Sequence, residues 1–309
     1  MLSVNNIAFS YDGKKSIFKG VSFQVKEGSV VGIVGPSGAG KSSILKSIAG
    51  LITLDEGVIE LDGKKIQNPH NKLVPGDDEV GFVNQSFELD DFYTCEENIL
   101  RALLHLSKEQ RFTFCDQLIS LLGLEDVRNL QGRYLSGGEQ QRLSIAAALA
   151  KEPRVLLLDE PFVHLDVHLR KKLGKYIRDL CFVRNMIILL VTHEGEEALS
   201  WSDEVYCMFD GRLTNRYSPD SAYFRPKTLK EGRFFGELNS VRINEKQILF
   251  RPKDFKLSGS TSNAVKVAFQ YSEFRGHYHA SYFKLSSGRE VVLYGDNPMT
   301  HISEIYVGI

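Results

Sequence analysis

One junction in the chain fixes the architecture around it. The apolar strand Val30-Val31-Gly32-Ile33-Val34 runs straight into Gly35-Pro36-Ser37-Gly38-Ala39-Gly40-Lys41-Ser42, and this into the helical Ser43-Ile44-Leu45-Lys46-Ser47-Ile48. A GxxxxGK[ST] run between a strand and a helix is a phosphate-binding loop. Its glycines let backbone N–H groups converge on phosphate oxygens, and the positive end of the following helix favours the same negative charge. Lys41 is expected on the β- and γ-phosphates of a nucleotide and the Ser42 hydroxyl on Mg2+, with Ser43 beside it. The alternative, a glycine-rich turn with no ligand, does not account for lysine and serine at those two places.

Around this junction, from Ser3 to about Tyr217, short apolar strands alternate with helical patterns, which predicts an α/β layer structure. With 309 residues, two domains are expected. The polar segment 218–232, with Pro219 and Pro226, reads as the linker. Residues 1–217 then form the first domain and 233–309 the second. In the latter, Val265–Phe269, His279–Phe283 and Glu290–Tyr294 are β-like runs separated by Gly276 and Ser286-Ser287-Gly288, as in a small barrel or meander. The near-neutral net charge of -1 argues against nucleic acid as a partner. No apolar run approaches the ~18 residues needed to cross a bilayer. The first residues lack a signal peptide's charged and apolar regions, so the chain is expected to stay in the cytoplasm. Four scattered cysteines, Cys95, Cys115, Cys181 and Cys207, have no ligand spacing and read as reduced structural thiols.

Two further motifs carry chemistry. Val155-Leu156-Leu157-Leu158 is an apolar strand ending in Asp159-Glu160-Pro161, two adjacent carboxylates suited to two roles. Asp159 can hold Mg2+ through water, and Glu160 can orient or deprotonate an attacking water. Ser136-Gly137-Gly138-Glu139 precedes a helical stretch to about Ala150 and offers free N–H groups and a helix dipole to an anion. Taken alone it is equally a capped helix, with Ser136 capping and Glu139 closing the box.

Leu135-Ser136-Gly137-Gly138-Glu139-Gln140-Gln141-Arg142 and the Asp159-Glu160 motif, in this order after the phosphate loop, resemble the signature and second acidic motifs of ABC ATPases. The resemblance spans the first domain. It implies a P-loop NTPase cassette with a RecA-like core and a helical subdomain at about 86–134, followed by a small all-β domain. It places Tyr11 at the adenine-stacking position, Gln85 at the Q-loop and on Mg2+, Asp166 at the D-loop and His193 at the γ-phosphate. In this family the signature meets ATP bound to the loop of a second copy, so Ser136, Gly137, Gly138 and Glu139 are expected to complete a head-to-tail homodimer's sites. Two departures stand out: Val163-His164-Leu165-Asp166 lacks the usual D-loop serine, and Ile145-Ala146-Ala147-Ala148 lacks an arginine common in relatives.

Asp166-Val167-His168-Leu169-Arg170 and Glu196-Glu197-Ala198-Leu199 resemble importers of iron(III), polyamines, sulfate, molybdate or sugars. Phe234–Asn239 and Phe250-Arg251-Pro252-Lys253-Asp254 resemble the TOBE domain that follows their ATPases. This implies an ATPase on the cytoplasmic face of the inner membrane, coupled to permease subunits and a solute-binding protein. An exporter ATPase is the alternative within transporters, and a soluble ABC protein or an inactive binding-only cassette lies outside them. Gln85 to about Ile99, with Phe87, Leu89, Phe92 and Tyr93, is expected to dock a permease helix, the other reading being subdomain core. His277 and His279 would share one face of a strand, and with no third ligand they read as surface histidines rather than a metal pair.

Overall fold

A computed structural model describes residues 1–11, 13, 15–67, 69–71, 76–84, 89–163, 165–259 and 263–307. The chain divides into two compact units, Met1–Pro219 and Asp220–Ile309.

The first unit is built on two sheets. β1 (Leu2–Ser10), β2 (Ser16–Val25), β4 (Glu56–Leu61) and β5 (Lys64–Lys65) form an antiparallel sheet in the order β2-β1-β4-β5. β3 (Val30–Val34), β6 (Val80–Val83), β7 (Val155–Asp159), β8 (Ile187–Thr192), β9 (Glu204–Phe209) and β10 (Arg212–Tyr217) form the second, in the order β10-β9-β3-β8-β7-β6. All of its pairings are parallel except β9–β10.

Every residue of β3, β7 and β8 is buried, as expected of strands covered on both faces. Alternate side chains therefore feed two different cores. Leu156, Leu158, Ile188 and Leu190 pack into one. Val155, Leu157, Ile187, Leu189 and Val191 pack into the other, which includes the antiparallel sheet and α1 (Lys41–Ile48). The first core holds α2 (Cys95–Ala102), α3 (Lys108–Leu122), α4 (Gly137–Ala150) and part of α5 (Val167–Arg184), and α6 (Gly195–Trp201) contributes Trp201 at its edge. Thr94–Glu97, Ser107–Gln110 and Ser136–Glu139 each close a capping box at the start of α2, α3 and α4. All four cysteines are buried and none is in a disulfide, and burial lifts the Cys95 and Cys181 thiols to about 11 and Cys115 to about 12. Such thiols are inert.

In the second unit, residues 220–232, read from the sequence as part of the linker, carry most of α7 (Pro219–Phe224) and α8 (Leu229–Gly232). Next come a hairpin, β11 (Asn239–Ile243) with β12 (Lys246–Phe250), and a sheet of β13 (Ala264–Phe274), β14 (His279–Leu285), β15 (Glu290–Gly295) and β16 (Glu304–Tyr306), ordered β15-β14-β13-β16. All of these pairings are antiparallel. The hairpin turns on Asn244 and Glu245, both at positive φ (47 and 64), the two-residue geometry that matches strand twist. The buried Asn239 amide joins hairpin to sheet, donating to Val292 O at 2.7 Å and accepting from Val292 N at 2.9 Å. Val241, Phe250, Phe283, Leu293 and Ile305 fill the core of this small β domain. His279 opens β14 against Phe274, whereas His277 lies in the preceding turn against Tyr278, so the two do not share a strand.

Candidate nucleotide site

The phosphate loop sits between β3 and α1 and is shaped by close approach. A Cβ on Gly35 would lie 2.2 Å from Met208 O, so only glycine lets the loop pass β9. Gly40 caps α1 at φ 102, a conformation that disfavours other residues. Pro36, Ser37 and Gly38 are exposed, while Ala39, Gly40, Lys41 and Ser43 are buried. Lys41 folds back to donate from Nζ to Gly35 O (2.8 Å) and Pro36 O (3.0 Å). Burial pushes its ammonium below the usual lysine range, while the nearby Glu160 and Asp159 carboxylates oppose the shift.

β7 is adjacent to β8, which pairs with β3, so the sheet order delivers the acidic pair to the same edge as the loop. Asp159 is 5% exposed, and burial raises its carboxyl above the ordinary range against a hydrogen bond from Ser42. Among the described residues its Oδ1 has no hydrogen-bond partner. A buried acceptor left unused costs about 1–3 kcal/mol, so this atom marks where a further ligand belongs. Glu160 has φ 53, an uncommon conformation for glutamate. Its backbone is pinned from two sides, N–H donating to Val191 O at 2.8 Å and the carbonyl accepting from Gln141 Nε2 at 3.0 Å. Its Oε1 lies 3.1 Å from His193 Nδ1. The glutamate and the histidine after β8 thus meet directly.

Gln141, buried on α4, ties the signature helix to the Glu160 backbone. Sequence reasoning missed that role, although Gln141 lies within the quoted signature. Ser136 N and Oγ both donate to Glu139 Oε2 at 2.7 Å, and these bonds hold the Glu139 carboxyl below the ordinary range. The capped-helix reading therefore describes the chain as it stands. A Cβ on Gly137 would meet nothing within 4 Å, so the start of α4 faces open space. Asp166 is exposed and caps α5, Oδ1 accepting from His168 N (2.8 Å) and Leu169 N (2.9 Å), which lowers its pKa. Tyr11 is 65% exposed, its edge against Phe9 at 4.8 Å. Gln85, Phe87 and His164 lie outside the described residues.

On α2 and α3 a groove of about 430 Å³ is lined by Tyr93, Leu100, Leu104 and Phe112, with Glu97 and Arg101 beside them. Phe92 is 70% exposed under the Arg133 guanidinium, and Arg101 lies 4.5 Å above the Tyr93 ring. Leu89 instead packs on the core.

Residues 18–163 match the family model described as ABC transporter. The sulfate/thiosulfate import ATP-binding protein CysA of Nocardia farcinica is 34% identical over 268 residues, covering 86% of this chain and 78% of that protein. The chain belongs to the ABC transporter family. The spermidine/putrescine import ATP-binding protein PotA of Bacillus cereus is 36% identical over 247 residues, 79% of this chain and 74% of that one. Among solved structures, a dimeric ATP-binding cassette in a post-hydrolysis state bound to ADP and Pi superposes with TM-score 0.63 at 30% identity, covering 71% of this chain and 99% of that one. This ABC chain is thus an ATPase, and ATP is its nucleotide.

Proposed function

We propose that this chain is the ATP-hydrolysing subunit of a solute importer, working as a head-to-tail pair at the cytoplasmic face of the inner membrane. The observation that carries the reading is the meeting of Lys41, Asp159, Glu160 and His193 at one sheet edge, on a chain that resembles import ATPases over most of its length. The phosphate loop holds ATP, with Tyr11 against the adenine. Mg2+ fits beside Ser42 and Asp159: the orphaned Asp159 Oδ1 is the acceptor that a metal-bound water needs, and Gln85 is the further candidate ligand. The metal supplies charge neutralisation to the phosphates. Glu160 then takes a proton from the attacking water, His193 contacts the γ-phosphate, and Asp166 stands at the interface between copies.

Neither copy holds a complete site. Ser136, Gly137, Gly138 and Glu139 of one face Gly35 to Ser43 of the other, so ATP joins the subunits and hydrolysis loosens them. The groove at Tyr93, Leu100, Leu104 and Phe112 receives a permease helix, its aromatic residues typical of such interfaces. A solute-binding protein delivers the cargo, whose identity resides in that protein and the permease. The second domain serves as a TOBE-like regulatory module.

Sizing Glu160→Gln with and without Mg-ATP tests the pairing. A dimer is expected only with ATP, and adding Ser136→Arg is expected to abolish it by filling the anion pocket. A dimer that forms without ATP, or equally well with Ser136→Arg, would show that the signature does not meet nucleotide in trans.

A further inference from the structure

Glu197, in the first turn of α6, is 5% exposed, and it takes two donors from different elements. The Thr192 hydroxyl donates to its Oε2 at 2.7 Å, and Arg170 Nη1 lies 3.5 Å from its Oε1. The same Thr192 Oγ1 accepts from Glu194 N at 2.9 Å. Thr192 and Glu194 flank His193, so the hydroxyl closes a small turn around the histidine's own backbone. Arg170 is in the first turn of α5, its N–H donating at 2.9 Å to the carbonyl of Asp166, the helix cap.

The helices carrying this pair are packed hard together. A Cβ on Gly174 would lie 2.5 Å from the Trp201 indole, and Phe162, two residues past Glu160, stands 6.1 Å from the same ring. Movement of α5 at Arg170 therefore reaches α6 and the end of β8 with little slack. Burial raises the Glu197 carboxyl above the ordinary range, with Thr192 and Arg170 opposing, so its charge depends on those two partners. Arg170 Nε is buried without a partner among the described residues, while the side chain as a whole stays partly exposed.

We infer that Arg170, Glu197 and Thr192 are positioning residues, a relay that couples the Asp166 end of α5 to the orientation of His193 against Glu160. The inference rests on the roles proposed above for His193 and Glu160. It supplies a route from the interface between copies to the hydrolytic pair that does not use the hydroxyl missing at Val163. When Asp166 is engaged by the second copy, α5 settles, Arg170 fixes Glu197, and Thr192 locks the turn holding the His193 ring 3.1 Å from Glu160.

The test is turnover of the full chain with Mg-ATP, measured as kcat and KM. Thr192→Val keeps the shape and removes the hydroxyl; it is expected to lower kcat on the order of tenfold with KM unchanged, since misplacement costs rate rather than affinity. Thr192→Ser, which restores the hydroxyl, is expected to recover most of that loss. In a His193→Ala background Thr192→Val is expected to add nothing, because a residue acting through His193 has no further effect once the ring is gone. Should Thr192→Val fail to fold, Glu197→Gln is expected to give the same split of kcat from KM. Multiplying losses in the double variant, or parental kcat in Thr192→Val, would overturn the relay alone. A wild-type chain as slow as Glu160→Gln would overturn the functional reading and the relay with it.

Discussion

Two buried charged groups, one in each unit, look alike by burial and differ in what surrounds them. Arg251 in the second unit is 3% exposed, and each of its donor nitrogens is used: Nε donates to Tyr223 O (2.8 Å), Nη1 to Gly236 O (2.9 Å) and Glu237 O (3.0 Å), and Nη2 to Gly232 O (3.2 Å). Its guanidinium also lies 4.0 Å above the Tyr223 ring. Asp159 in the first unit is as deeply buried, yet its Oδ1 is unpartnered among the described residues, and the next residue has positive φ. The first group is a finished structural staple for α8 and the turn after it. The second retains unused capacity, which a fold tolerates where a ligand completes it.

The largest expected effect on stability breaks the staple. Arg251→Ala leaves four carbonyls without their donor, and a loss of about 3–4 kcal/mol is expected in denaturant unfolding of the second unit. Arg251→Lys cannot span the same carbonyls and is expected to recover only part of it. ATP affinity should stay within about twofold of the parent, since every carbonyl that Arg251 holds belongs to the second unit and none to the unit that carries the phosphate loop. An Arg251→Ala chain of parental stability would remove the contrast.

The next effect has the opposite sign. Asp159→Asn removes a buried charge and is expected to make the nucleotide-free chain about 1 kcal/mol more stable while abolishing hydrolysis. Because burial raises the Asp159 pKa in the folded state, the folded chain binds this proton more tightly than the unfolded one. That contribution is present below the ordinary carboxylate pKa and is lost as pH rises through the raised one. Stability of the wild type should therefore gain from this group as pH falls through that window, and Asp159→Asn should flatten the gain. Glu197 acts in the same direction and remains in the variant.

Chain order explains which half of this contrast was legible beforehand. The phosphate loop, the strand ending in Asp159 and the Ser136–Glu139 cap are local patterns, each complete within about ten residues, and their periodicity and turn chemistry determine their form. The staple and the supports of the site are not local. Gln141 meets the Glu160 carbonyl, Arg170 meets Glu197, and Arg251 meets carbonyls between Tyr223 and Glu237 only after strands and helices have been packed. Glu196 and Glu197 are adjacent and chemically identical, yet one is exposed and the other buried, because only the packing of α6 distinguishes them. His277 fell in a turn for a local reason instead: Gly276, at φ 81 and already legible as a separator, lies between the end of β13 and the start of β14.

An effect of similar size, with the sign of a loss, compares two helix caps of the same chemistry. Thr94→Ala and Ser136→Ala each remove a capping box and are expected to cost about 1 kcal/mol of stability. Only Ser136→Ala should also weaken ATP-driven pairing in the sizing experiment. Equal effects of both on pairing would reduce the signature to a capped helix.

The central claim is that the strained, unsatisfied edge of the sheet performs hydrolysis while the loop performs binding. It is tested most directly by measuring ATP affinity and turnover in the same preparation of Glu160→Gln. Affinity within about threefold of the parent is expected, because Lys41 and the loop backbone are untouched, with turnover reduced on the order of a thousandfold, the range of a lost general base. Parental turnover would contradict the claim, and so would an affinity that collapses together with the rate.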